Sequence, residues 1–555
     1  MNIMNGVAHV NLNVEKPALA GAGGRESLPP ASAGRPARTN RWWLALAVVG
    51  TLLSSSASFA YTTNLVEKVA DLTFYLDGEG AEQGGYAPLD RFTQVGTNLW
   101  FTTSRGGAYD VGTISQFTLT SHQVIQVAAL DNNSGSKPES PLTVIGDNAY
   151  FTTTSTGVSN KGTIAEISLT DGTVTPLFAF PNNGLPTGAT PRAGVTQIGD
   201  NLWTLTSLGG VSNRGVVLEY SLTSGLATLV TNLDGPNVGG QAFDGFTQVG
   251  NAWYFLTFSG GNTFNTTNYL TNAQLDGSIA IITNKLSIGA GTLGSLTFDS
   301  SGNPVVAQVL SLQGGFDEFP AVAPILVGTN SLYFTSTGPN TQPGALLRYD
   351  LNSKQLTQLF TFSTNAIPAQ QYGTRPGYSG LTEWLGELYF INRNGGTNSP
   401  AANSGGGTVA KFNIASNTVI KLADLGNATL ANDLGSPSGF FGSGTIVLET
   451  NRFYIYYPLT SGGANGLGSI IRVALPPLPI QPSLTTTNSG TNLVLSWSGG
   501  YPPFDVLTNG GLSLAVTNWA VAVTNLTSDT STTNWSVTLP ASNTSLFYSI
   551  RGQAQ

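Results

Sequence analysis

The sequence predicts an all-β protein: a seven-bladed β-propeller of four-stranded blades, followed by a small C-terminal β-sandwich. Three observations predict it. Charged residues make up 9% of the 555 while Gly numbers 68, a balance that excludes coiled coils and long solvated helices, which depend on Glu, Lys and Arg. A unit of roughly 50 residues recurs along the chain, the period of propeller blades. Inside each unit, short runs alternate apolar and polar residues between Gly-containing turns, as half-buried strands do.

Residues 1–60 read as a secretory signal with a long n-region. Arg25, Arg35, Arg38 and Arg41 precede an apolar run from Trp42 to Leu53, and small residues lead to Ser58-Phe59-Ala60. A basic segment, a short apolar run and a small-x-Ala junction predict cleavage near Ala60–Tyr61. The run falls short of the ~20 residues that span a bilayer, so no transmembrane anchor is expected. The protein is expected to be secreted, extracellular or at the cell surface. It has no Cys, so no disulfide supports it there. Beyond residue 60, 28 Asp and Glu stand against 17 Lys and Arg, a net charge of −11. An acidic chain without a Lys/Arg cluster excludes nucleic acid as a partner. The same sign disfavours anionic lipid.

Residues 61–474 carry the propeller. FTQVG stands at Phe92–Gly96 and again at Phe246–Gly250, with LTVIG at Leu142–Gly146 and VTQIG at Val195–Gly199. An aromatic strand follows each: NLWFTT from Asn98, NAYFTT from Asn148, NLWTLT from Asn201, AWYFLT from Ala252. SLYFTS from Ser331, ELYFIN from Glu387 and RFYIYY from Arg452 extend the series to seven. Each unit continues into a Gly-led strand such as GTIAEISL at Gly162, and turns such as Asp171-Gly172 lead into a fourth. Fifty residues are too few for separate sandwich domains. The seventh unit lacks its outermost strand. LVEKVADLTF from Leu65 resembles the fourth strands that start at Val124 and Val419, so the N-terminal side should complete that blade and close the ring.

Residues 475–482 form a Pro-rich linker, since Pro cannot join a central strand. Residues 483–555 follow as the sandwich. In LVLSW, Leu493, Leu495 and Trp497 share one face; Trp535, Val537 and Leu539 do so in WSVTL.

The elements AYFTTT, TGVSNKGTI and LGGVSNRGV resemble the GloVer tandem repeat of secreted proteins from Verrucomicrobia and related bacteria. The resemblance covers about residues 65–475 and is best in the first three units. This chain has WFTT, YFTT or WTLT where the repeat usually reads YGTT. GTNLVLSW, TNW and LFYSIRG in the last module resemble fibronectin type III-like sandwiches. The resemblance implies no established reaction and no catalytic residues.

The residues offer little chemistry. Past residue 60 only His122 remains, in a predicted hairpin turn, and one His without Cys builds neither a usual zinc site nor a Cys nucleophile. Asp77, Glu79 and Glu82 in DGEGAE offer hard oxygens for calcium but lack the regular loop spacing, so no cofactor or metal is expected. The aromatics Trp100, Tyr150, Trp203, Tyr254, Tyr333, Tyr389 and Tyr454 share one register and read as core between blades. Length variation falls in the loops joining strands two to three and four to the next one, which emerge on one face. Ligand contacts are therefore expected from Asp90, Arg91, Arg105, Arg192, Asp244, Asp317, Glu318, Arg375, Tyr378 and Arg393. The expected function is a non-catalytic binding or structural role at the cell surface or in the extracellular matrix, with a polysaccharide or surface protein as ligand. The alternative is a propeller-fold polysaccharide lyase or glycoside hydrolase, for which Asp90, Asp244 and Arg192 are the candidate set.

Overall fold

The computed structural model describes residues 7–10, 66–76, 82–157, 159–181, 188–261, 263–273, 279–313, 318–338, 343–362, 372–396, 406–426, 434–437, 442–449, 452–486, 492–500, 504–509, 520–526, 534–540 and 547–552. The chain divides into two compact units: Thr62–Val447 with Tyr454–Leu475, and Met1–Tyr61 with Leu448–Phe453 and Pro476–Gln555.

From Val66 to Ala474 the described residues form seven four-stranded antiparallel sheets. In the second sheet the strands run in chain order as Thr143–Ile145, Asn148–Thr153, Thr163–Ser168 and Val174–Ala179. Gly146, at φ 62°, makes the tight turn between the first two, a left-handed conformation that costs glycine least. The third and fourth strands pair with a bulge in the second sheet, between Ile164 and Ala165, and the other six sheets bulge at the corresponding step. A bulge at that step sharpens the twist of each outer strand.

Alternation along the second strand splits its side chains between two neighbours. Leu99 and Phe101 pack with Tyr456 and Ile470 of the seventh sheet, while Trp100 packs with Leu142 and Phe151 of the second. Tyr150, Trp203 and Tyr333 repeat the role of Trp100 against the third, fourth and sixth sheets, so this aromatic register is core. Apolar clusters join every adjacent pair from the seventh and first through to the fifth and sixth. Hydrogen bonds join the sixth to the seventh: Gly380 N–H donates to the Gly442 carbonyl at 2.9 Å. Four-stranded sheets packed in succession until the last meets the first make a β-propeller.

The expected closure is present. Val66–Asp71 pairs antiparallel with Ser469–Ala474, from Val66 opposite Val473 to Asp71 opposite Ser469, and carries the bulge of a fourth strand. Between its second and third strands the fourth sheet's unit carries a ribbon of two eleven-residue strands, Thr263–Ala273 and Ile279–Gly289. His122 sits in a turn at φ 54° and stacks on Phe117 with ring centroids 5.6 Å apart.

In the other unit, Gln481–Thr486, Asn492–Ser498 and Asn534–Pro540 form a three-stranded sheet, so Gln481 and Pro482, expected in the linker, instead pair with Ser498 and Trp497, which an edge strand permits. A second sheet orders Val7–Val10, Phe547–Gly552, Phe504–Asn509 and Ala520–Leu526. Leu495, Trp497, Phe504, Trp535, Tyr548 and Ile550 form their shared core. The strand Val7–Val10 lies within the segment read as a leader; the apolar run from Trp42 and the junction at Ala60 lie outside the described residues. Among the described residues no helix is long and apolar enough to cross a membrane.

Candidate functional site

The inner strands of the seven sheets begin at Thr93, Thr143, Thr196, Thr247, Ile325, Thr382 and Thr445. Five of the six threonine hydroxyls link neighbouring sheets. Thr93 Oγ1 donates to the Leu142 carbonyl at 2.7 Å, Thr382 Oγ1 to Gly444 at 3.0 Å and Thr445 Oγ1 to Phe92 at 2.8 Å. Thr143 and Thr247 donate likewise to Val195 and Pro324. Ile325 has no hydroxyl to give. Thr445→Val should cost ~1 kcal/mol, the net worth of one such bond, read as a shift in the urea midpoint.

Two residues before each inner strand stand Arg91, Pro141, Gly194, Gly245, Ala323, Gly380 and Ser443, and all seven line one cavity of ≈ 140 Å³. A cavity lined at one register by every sheet is the mouth of the central channel. Six of these residues are small, and Arg91 alone carries a long side chain. It brings together three of the expected residues from opposite sides of the ring. Arg91 Nη1 lies 3.7 Å from Asp90 Oδ1 and 3.8 Å from Asp244 Oδ1. Both acids are buried, at 4% and 5% exposure.

Backbone amides fix the carboxylates. Asp90 Oδ1 accepts the Arg91 N–H at 2.6 Å. Asp244 accepts Gly245 N–H at 2.7 Å and Ala323 N–H at 3.0 Å. Gly442 of the seventh sheet presses on the same place, since a Cβ there would stand 2.4 Å from Asp90 Oδ1. Burial pushes the Asp90 carboxyl up to about 7; Arg91 opposes that shift and the Asp244 charge adds to it. Burial pulls Arg91 down, but Asp244 and Asp90 outweigh it and hold the guanidinium above its ordinary value.

Arg192 falls in a second group, beside the triad in register. Its Nε lies 3.2 Å from Glu139 Oε2, and its guanidinium covers the Phe243 ring at 5.1 Å. Burial raises Glu139, and the Arg192 charge offsets part of that. Phe243 meets Phe258 at 5.1 Å, and Phe258 stacks on Phe319 at 4.9 Å. Arg375, at φ 58°, precedes the short 3₁₀ turn Pro376–Tyr378, and Arg393 covers the Tyr378 ring at 5.0 Å. Arg105 is exposed and pairs with Asp110 at 3.6 Å, which also accepts the Tyr86 hydroxyl. Glu318 is buried, and its carbonyl accepts Gly338 N–H; Asp317, Asp77 and Glu79 lie outside the described residues. Among the described residues no group of three or more His, Cys, Asp or Glu is placed to hold a metal.

Sequence reasoning missed Glu139, Phe243 and Gly442. Reading the units in register finds the first two, since Glu139, Arg192 and Phe243 all stand four residues before the inner strand of successive sheets.

The fold and the mouth define a repeat propeller with a charged channel entrance. Residues 54–269 match the Gloeobacter/Verrucomicrobia repeat, so this part of the chain carries it. No curated protein matches the chain. Among solved structures, similarity extends to an ancestral GH74 enzyme at 13% identity and a TM-score of 0.44, covering 73% of this chain and 51% of that one. It extends also to the oligogalacturonate lyase of Vibrio parahaemolyticus, at 9% identity and 0.39, covering 74% and 98%. A puromycin-hydrolyzing peptidase of Mycobacterium tuberculosis matches at 12% and 0.39, covering 75% of this chain and 58% of the peptidase.

Proposed function

We propose that this chain is a secreted seven-bladed propeller that binds a polysaccharide or a surface protein, without catalysis, on the face carrying the channel mouth. The observation that supports it is the commitment of the two mouth carboxylates. Arg91 lies between the two, and backbone amides hold Asp90 Oδ1 and both Asp244 oxygens in place. A general base has to be free to take a proton. Screening the purified mature chain against glycans and envelope fractions tests the reading: reproducible retention is expected, and turnover of any of them overturns it.

One observation favours the hydrolase alternative. Arg91 Nη1 lies within 4 Å of both acids, which keeps the pair inside the ~10 Å that two-carboxylate glycoside hydrolysis allows. Burial also keeps Asp90 protonated near neutrality, as a general acid requires. On this alternative Asp90→Asn abolishes a glycosidase activity that the wild-type chain displays.

The terminal module, whose first strand begins at Gln481, serves in this reading as a fibronectin type III-like spacer or attachment domain, joined through residues 475–480. Truncation after Leu475 should leave the melting of the propeller within about 2 °C of its value in the full chain, because closure runs through Val66–Asp71. A much lower, still cooperative midpoint in calorimetry sinks this division.

A further inference from the structure

We infer that the channel mouth is a pocket for one neutral sugar ring, the terminal unit of a glycan, gripped by Asp244 and Arg91 through a vicinal pair of hydroxyls. The inference rests on the reading of this face as glycan-binding and names the part of the ligand that it takes.

Its size comes first. The position two before the inner strand is Pro, Gly, Ala or Ser in six sheets, and those small side chains leave the ≈ 140 Å³ open. At ~30 Å³ per water, that space holds a few waters or a single ring, and no oligosaccharide. A chain would have to present its end.

Charge then selects the ligand. A cation entering the mouth meets the Arg91 guanidinium, and an anion meets Asp90 and Asp244 on either side of it. A neutral group that both donates and accepts escapes both penalties. At 3.7 and 3.8 Å, Arg91 Nη1 is beyond hydrogen-bond range of either carboxylate oxygen, so neither ion pair is closed by a direct bond. A hydroxyl placed between them accepts from Arg91 and donates to Asp244, and its neighbour on the ring repeats the pattern.

The test uses the full mature chain with free glucose, galactose, mannose and N-acetylglucosamine, each followed by calorimetric titration and saturation-transfer NMR. At least one should bind. Arg91→Met should weaken it about 10- to 100-fold, the range for losing a charge-assisted hydrogen bond. That variant strips the partner from two buried acids, so Gly245→Leu carries the argument independently. A Cβ at Gly245 comes no closer than 3.4 Å to Thr196 Oγ1, an ordinary contact, and the remaining side chain fills the mouth while the triad stays intact. Loss of sugar binding in Gly245→Leu, with the melting midpoint retained, is the expected result. Binding of none of the four sugars overturns the inference, as does a sugar bound equally well by Gly245→Leu. If polysaccharide is retained equally by the wild type and Gly245→Leu, the face still binds glycan and only the end-on pocket is wrong. If no glycan or envelope fraction is retained at all, the functional reading falls with it.

Discussion

A chain lacking Val66–Asp71 should melt ~10 °C or more below the intact protein and aggregate as it does so. The segment supplies the outer strand of the seventh sheet, and without it Ser469–Ala474 becomes an open edge. That edge carries Ile470, Ile471 and Val473, all fully buried in the intact ring. The deletion also unseats Leu72, which is fully buried among Phe92, Leu99 and Tyr456 where the first and seventh sheets meet. Leu72→Ala alone should cost ~2–5 kcal/mol, as large-to-small core changes do. Scanning calorimetry with light scattering checks both variants. A cooperative transition within about 2 °C of the wild type, without scattering, means that the ring is held shut by something other than this strand.

The ring should lose stability as pH rises from about 4 to about 7, and Asp90→Asn should flatten much of that slope. Asp90 is pushed from 3.8 to about 7 in the folded chain, chiefly by burial. Across this window the folded state holds a proton that the unfolded state has released. The contribution of Asp90 is therefore complete below its unfolded value and is gone once pH passes about 7. The loss amounts to several kcal/mol. Glu139 is raised by burial too and adds a slope of the same sign, so the variant flattens the profile without levelling it. Arg91→Met should extend the window upward, because Arg91 is the charge that holds Asp90 down. Denaturant midpoints at several pH values, wild type against Asp90→Asn, decide the matter; parallel profiles sink the assignment.

The repeat was legible because each unit writes the same burial pattern into its letters. FTQVG and NLWFTT place apolar and aromatic residues at fixed register, and that register is what packs between sheets. Closure was legible for the same reason, since VEKVAD has the make-up of a fourth strand without a unit of its own. Loop position also singled out Asp90, Arg91 and Asp244. What it did not supply was their grouping, which depends on Arg91 crossing a channel between sheets some 150 residues apart in sequence, a distance that ring geometry alone removes. Arg105 shared the loop position but not the register, and it pairs locally with Asp110. The inner-strand threonines were visible in six of seven units, yet the bond that five of them make to the neighbouring sheet is something no single unit contains. The outer-strand bulges belong to the pairing of two strands and leave no mark in either one.

Tandem arrays change length by gaining or dropping whole units, and an even ring tolerates such copy-number change because every junction resembles the next. The salt link from the first sheet to the fourth removes that tolerance. An ancestor or sister chain that lost its second or third unit would carry Asp244 round to a different bearing, out of reach of Arg91, and would strand a cation and an acid inside the channel. Recombination within this stretch is thereby penalised most directly. Where related arrays differ in repeat number, the difference should fall after Asp244.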